Sequence, residues 1–302
     1  MAQSLEVLAR RTASMQGIRS IVHTMKTLSV INSAPYEHAA RAIEAYHDTV
    51  RLGLHALLSQ MAPIERSASP PSTRVLIVFG SDHGLCGNYN EALASSVSQL
   101  HTNAAGSLCI LCIGAKMADA LRDRGLVPET TFFPPASVDG IGRLANLLTR
   151  HLDDMQGEHT AEEMAVSLAY FTRDGDTGQR PEVMALLPLD HDLVQRLQGE
   201  PWESRSLPSF SMSSPALFQA LIRGHLFASL FRAAAEALVT ENAARLALMS
   251  QAEQSVDDRL ETLTAETRSV RQSEITTELL DVIIGFEALK KLKTTLRSAA
   301  VA

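Results

Sequence analysis

The chain has 302 residues, 45% of them hydrophobic, and a formal net charge of −7. That is ample for a buried core and suits one large or two modest domains. The charge is uneven, with 6 basic and 4 acidic side chains in residues 1–57, 11 and 19 in 58–212, and 10 and 11 in 213–302; neither end carries the basic arm of a nucleic-acid binder, so no nucleic acid is expected as a partner.

All twelve prolines lie between Pro35 and Pro215 inclusive. Two long proline-free ends around a proline-punctuated middle predict two long helices flanking a compact domain, with boundaries at 1–62, 72–207 and 213–302. In the first segment, Leu8, Met15, Ile18, Val22, Met25 and Leu28 form an apolar stripe, and Ile43, Tyr46, Val50, Leu54, Leu57 and Leu58 form a second. Pro35 between them is expected to kink the helix or reset its start.

The linker ERSASPPST leads into an alternation of strand-like and helix-like segments: RVLIVF, NEALASSVSQL, SLCILCIG, KMADALRDRG, GIGRLANLLTRHLDDM, MAVSLAYF and EVMALLPL. This pattern predicts a small Rossmann-like α/β layer with a largely parallel sheet, and DGDTGQRP and QGEPWESRSLPSFSMSSP read as loops. After Pro215 a helical stripe runs from Leu226, Leu230 and Leu238 through Leu248, Leu260 and Leu263 to Leu279, Val282, Phe286 and Leu289. About 80 helical residues extend roughly 120 Å, so this helix needs a partner along its length. Antiparallel pairing of the two ends is expected to cover both stripes, giving α/β plus a long antiparallel coiled coil.

No apolar run approaches the roughly 20 residues of a membrane span, and the N-terminus lacks a signal-peptide core, so a soluble chain is expected. The three cysteines, Cys86, Cys109 and Cys112, fit a reducing compartment. Cys109 and Cys112 lie on a predicted strand, where an i, i+3 pair points to opposite faces and shares neither metal nor bond. The histidines fall into no ligand spacing, and His23, His38, His47, His55 and His225 read as solvated or half-buried. Asp190-His191-Asp192 is the one local acid and imidazole cluster, and it has no accompanying nucleophile. No catalytic residue, cofactor or metal is expected.

GSDHGLCGNYN, after the first strand, raises the question of a phosphate cradle. It lacks the lysine of a phosphate loop and the third glycine of a dinucleotide fingerprint. It reads instead as a tight structural turn in which Gly84 and Gly87 supply unusual backbone angles. Near the other end, RSVRQSEITTELLDVIIGFEAL places Arg268, Arg271, Gln272, Glu274, Thr276, Thr277 and Glu278 in a polar cluster partway along the long helix, which suits contact with a changing protein surface.

These segments, with RRTASMQGIRSIVHTMKTLS and ENAARLALMSQA, occur in the order and spacing found in the gamma subunit of F-type ATP synthases, and the chain resembles that family from about residue 4 to 289. The resemblance implies a non-catalytic central rotor stalk that couples ion flow to ATP synthesis or hydrolysis in a catalytic head. Its partners would be the alpha and beta head subunits, the epsilon subunit and the membrane c-ring, at the cytoplasmic side of a bacterial plasma membrane. Carried over by position, Arg271, Gln272, Thr276 and Glu278 would touch the head ring, and Met25 would face it from the N-terminal helix. Arg271, able to make charge-assisted hydrogen bonds, would carry the largest single effect.

The chain departs from the family pattern at Ser20, His23, Pro35, His83 and Asn88, in TLSVINSAPYEHAA, and in the extension KKLKTTLRSAAVA. The departures point to a divergent branch, such as an alternative sodium-translocating type. Two readings from other classes stand beside this one: a nucleotide- or metabolite-binding α/β enzyme with its site at GSDHGLCGNYN, and a coiled-coil adaptor that self-associates through its stripe.

Overall fold

A computed structural model describes residues 2–61, 73–101, 107–158, 164–175, 178–202, 204–206 and 208–299. The predicted linker falls outside the described residues except for Thr73. Helix α1 spans Ala2–Leu58, and helix α6 spans Ser214–Ala299. Between them run β1 (Thr73–Phe79), α2 (Tyr89–His101), β2 (Ser107–Ile113), α3 (Ala115–Arg122), β3 (Thr130–Phe132), α4 (Val138–Glu158), β4 (Met164–Asp174), β5 (Gly178–Leu187) and α5 (His191–Gly199). The predicted combination of two long terminal helices with an α/β sheet is therefore present.

Pro35 lies inside α1, and the helix continues through it. A mid-helix proline costs roughly 3 kcal/mol through a lost hydrogen bond and a steric clash. Burial of the adjacent Tyr36, Ala39, Ala40 and Ile43 offsets that cost.

The chain forms two compact units, Leu28–Leu248 and Met1–Thr27 with Met249–Ala302. In the larger unit the strand order is β3-β2-β1-β4-β5. The first four strands are parallel, and β5 runs antiparallel to β4. The expected loop DGDTGQRP is mostly strand: Thr172 pairs with Arg180 and Asp174 with Gly178, because the chain reverses directly into an antiparallel partner. Two short elements escaped the pattern reading. β3 is three residues between Pro128 and Pro134, too short to show a period, and α5 begins where Asp190 caps it.

One face of the sheet, with Val75, Ile77, Leu111, Leu168 and Tyr170, packs on α4, on Tyr36, Ala39 and Ala40 of α1, and on Leu226 to Val239 of α6. The opposite face, with Val78, Ile110, Cys112 and Phe171, packs on α2 and α3. Cys109 joins the first cluster and Cys112 the second, as strand alternation requires. A third cluster joins Val50, Leu54 and Leu58 of α1 to Val194 and Leu197 of α5.

In the smaller unit, the two helix ends pair antiparallel. Arg19 meets Asp257, while His23 and Lys26 meet Glu253, so residue numbers rise on one helix as they fall on the other. Leu8 and Val22 on α1 and Leu263 on α6 are buried along this seam.

Candidate partner-contact surface

The ion pairs set the register of the pairing. Stepping back 17 residues from Arg19 to Ala2 carries Asp257 forward to Glu274; stepping back 24 residues from Lys26 to Ala2 carries Glu253 forward to Thr277. The half-buried or buried positions Val256, Leu260, Leu263, Thr267, Val270, Glu274 and Thr277 follow a three- and four-residue rhythm and stop there. From residue 278 to 290 every described side chain of α6 is exposed.

That stretch is the most apolar part of the smaller unit. Leu279, Leu280, Val282, Ile283, Ile284, Phe286 and Leu289 are between 53% and 70% exposed. At about 100° per residue they cover more than half the helix circumference, an arrangement that ordinarily implies burial on several sides. The expectation that antiparallel pairing covers both stripes is thus corrected, because the apolar residues from Leu279 to Leu289 of α6 stand exposed among the described residues.

The polar residues singled out earlier lie just before and within this stretch. Arg271, Gln272, Thr276 and Glu278 are exposed on α6, and the Thr276 hydroxyl donates to the Gln272 carbonyl at 2.8 Å. Arg271 and Glu278, seven residues apart, share a face. Met25 is half-buried on α1, three residues from the buried Val22. Glu253, which accepts from His23 and Lys26, is held down to about pKa 2 by those two hydrogen bonds.

The GSDHGLCGNYN turn belongs to the larger unit. Its polar groups bond to the chain itself: the Ser81 N–H donates to Asn90 Oδ1 at 3.0 Å, and Asn90 Nδ2 donates to Ser81 Oγ at 2.7 Å. Asp82 accepts from the first N–H of α3, that of Ala115, so a carboxylate of the chain sits at that helix's positive end. Tyr89, at the start of α2, donates to the Ala237 carbonyl of α6 at 3.0 Å. Gly87 has φ 67°, while Gly84 is exposed and has no positive φ. Leu85, at φ 66°, takes the left-handed conformation expected of Gly84. Asn, Asp and Gly are the usual occupants of that region, which is why a leucine there is not legible from sequence.

Asp190 is the N-cap of α5 and accepts from the Asp192 N–H, so Asp190-His191-Asp192 has a helix-capping geometry. His55 and His225, expected to be solvated or half-buried, are buried; His55 Nε2 lies 3.0 Å from the Glu200 carbonyl oxygen. Among the described residues no group of three or more His, Cys, Asp or Glu side chains is arranged to hold a metal ion. No described helix is long and apolar enough to cross a membrane.

A sequence model of the ATP synthase family matches residues 4–289, and the ATP synthase gamma chain of Anaeromyxobacter sp. (strain Fw109-5) is 26% identical, the match covering 95% of this chain and 99% of that one. The chain belongs to the ATP synthase gamma family. The gamma chain of Lachnoclostridium phytofermentans is 25% identical, over 95% of this chain and 99% of that relative. Among solved structures, a chain of the Euglena gracilis mitochondrial ATP synthase (OSCP/F1/c-ring, rotational state 3) is similar, with a TM-score of 0.64 and 18% identity. That match covers 96% of this chain and 95% of the other and is a likeness of fold. Gamma-family membership fits the long helices flanking an α/β layer and the four motifs read from the sequence.

Proposed function

We propose that this gamma-family chain is the central rotor stalk of a rotary F-type ATP synthase, non-catalytic in itself, coupling ion flow through a membrane ring to ATP synthesis or hydrolysis in the head. The observation that carries this reading is the single-helix stretch 278–290, apolar over more than half its circumference and unaccompanied by α1. A helix apolar on several sides needs a socket that surrounds it, and a ring of head subunits supplies one. Rotation within that socket biases its subunits only where the shaft contacts them unequally, since equal contacts shift no equilibrium. The one-sided placement of Arg271 and Glu278 beside the apolar stretch supplies such asymmetry.

In this reading Arg271, Gln272, Thr276 and Glu278, with Met25 on α1, contact the head ring formed by alpha and beta subunits. The α/β part, residues 72–207 between helical segments 1–62 and 213–302, faces the epsilon subunit and the c-ring, and Gly84 and Gly87 serve its turn. The complex lies peripherally on the cytoplasmic side of a bacterial plasma membrane.

The test is co-purification of the tagged chain from its host after gentle solubilisation, read by mass spectrometry. Head and ring subunits in fixed ratio are expected, and a lone chain or an unrelated partner rejects the proposal. Arg271→Ala is expected to lower ATP-driven ion pumping in the reconstituted complex, and Phe286→Ser combined with Ile283→Ser to weaken assembly with the head. Melting of the isolated chain should stay unchanged in both variants because the altered side chains are exposed.

A further inference from the structure

Within the larger unit, a cavity of about 240 Å³ opens between α1, β4 and α6. Ala40, Arg41 and Glu44 line it from α1, Tyr170, Thr172 and Arg173 from β4, and Arg232 and Glu236 from α6. Three arginines, each exposed at the mouth, therefore line one small space. Arg173 is partnered: its Nε lies 2.8 Å from Glu236 Oε1, and its Nη2 lies 3.0 Å from Oε2. Arg41 and Arg232 form no ion pair or hydrogen bond among the described residues.

The floor of the cavity is formed by two largely buried residues. Tyr170 is 5% exposed and Glu236 9%. Burial pushes the Tyr170 phenol above its usual range, so it stands as an O–H donor at neutral pH. Its hydroxyl has no partner among the described residues, and the Thr172 hydroxyl lies beside it on the same wall. With Glu236 neutralised by Arg173, the remaining charge is that of Arg41 and Arg232 against Glu44, a net positive lining.

We infer that this cavity is a binding site for a small phosphate-type oxyanion, held by Arg41 and Arg232, with the Tyr170 and Thr172 hydroxyls as further donors. Guanidinium forks match the spacing of oxyanion oxygens and make the stronger, charge-assisted class of hydrogen bond. The volume lies below the roughly 300–1,000 Å³ of pockets for drug-sized ligands, so the occupant is an ion or a small phosphate ester and not a nucleotide. Glu44, exposed beside the arginines, opposes binding and sets its strength.

Inorganic phosphate titrated into the full chain, followed by calorimetry and by phosphorus NMR, tests this. Saturable binding of one phosphate per chain is expected, weakened at least tenfold by Arg41→Gln or Arg232→Gln and strengthened by Glu44→Gln. Circular dichroism checks that each variant keeps its fold, and the exposed position of Glu44 keeps that arm readable whatever the arginine variants do. Glycerol phosphate in a parallel titration separates the sources: tighter binding of the ester assigns an organic phosphate, and tighter binding of phosphate assigns the free ion. No saturable binding of either overturns the inference, and so does binding that is indifferent to all three substitutions.

Discussion

Lys26 Nζ lies 2.7 Å from Glu253 Oε2, tying α1 to α6 at a fixed register, while the other oxygen of Glu253 lies 2.8 Å from His23 Nδ1. Hydrogen bonds from Lys26 and His23 hold the Glu253 carboxyl down from 4.5 to about 2. A depressed acid contributes stability that is fully present above its unfolded value and is lost as pH falls through its folded one. Glu253→Gln should therefore lower the melting of the paired helix ends near neutral pH, and the difference from the parent should vanish by about pH 2. Melting curves followed by circular dichroism across that range would show it. A difference that persists undiminished at the acid end rejects the pairing.

Tyr89 is buried and its hydroxyl reaches both the Ala237 carbonyl and, at 3.1 Å, Thr240 Oγ1. Its ring stacks on Phe171 with centroids 4.5 Å apart. Tyr89→Phe keeps the stacking and removes one donor to the Ala237 carbonyl, which still accepts from the Thr240 hydroxyl at 3.0 Å, so it should cost about 0.5–1.5 kcal/mol in urea unfolding. A cost near zero would mean that the hydroxyl does not fasten α2 to α6.

Gly114 and Gly84 should answer substitution in opposite ways. At Gly114, φ is 102° and an added Cβ would lie 2.4 Å from the Ser81 carbonyl oxygen. Gly114→Ala combines backbone strain with a clash against backbone, and a loss of about 3 kcal/mol or more is expected. At Gly84 an added Cβ meets nothing within 4 Å, so Gly84→Ala should stay within about 0.5 kcal/mol of the parent. The two variants compared in one denaturation series check this, and equal losses would contradict it.

His225 stacks on His47 and is buried, its Nδ1 lying 3.1 Å from His47 Nε2. Burial, then His47 and Arg51, lower its pKa from 6.5 to about 4. Burial lowers His47 as well, with Arg51 and Arg232 adding to the shift and Asp48 and Glu44 opposing it. A histidine kept neutral in the folded state binds protons more readily when unfolded, so stability falls as pH drops from about 6.5 to about 4. For His225 the loss should approach about 2 kcal/mol at about pH 5. Urea unfolding at neutral and acid pH measures it, and His225→Gln should flatten the profile.

The amino-acid sequence by itself determined the kinds of element and their order. Proline placement marked the helical ends, and alternating apolar runs marked β1, β2, β4 and most of β5. Strand alternation separated Cys109 from Cys112, and four ordered motifs carried the family resemblance. These are local or additive signals, legible because helix and strand periods are written along the chain.

Tertiary structure alone decided the rest, because contacts between residues distant in the chain leave no local period. The register of Arg19 on Asp257 is set by such a contact, and the exposure of Leu279 to Leu289 by the absence of cover among the described residues. Leu85 takes a left-handed conformation that its side chain disfavours within a turn held by the Ser81–Asn90 bonds. Arg41, Arg173 and Arg232 lie on three separate elements, and only the packing of α1 and α6 against β4 brings them to one cavity.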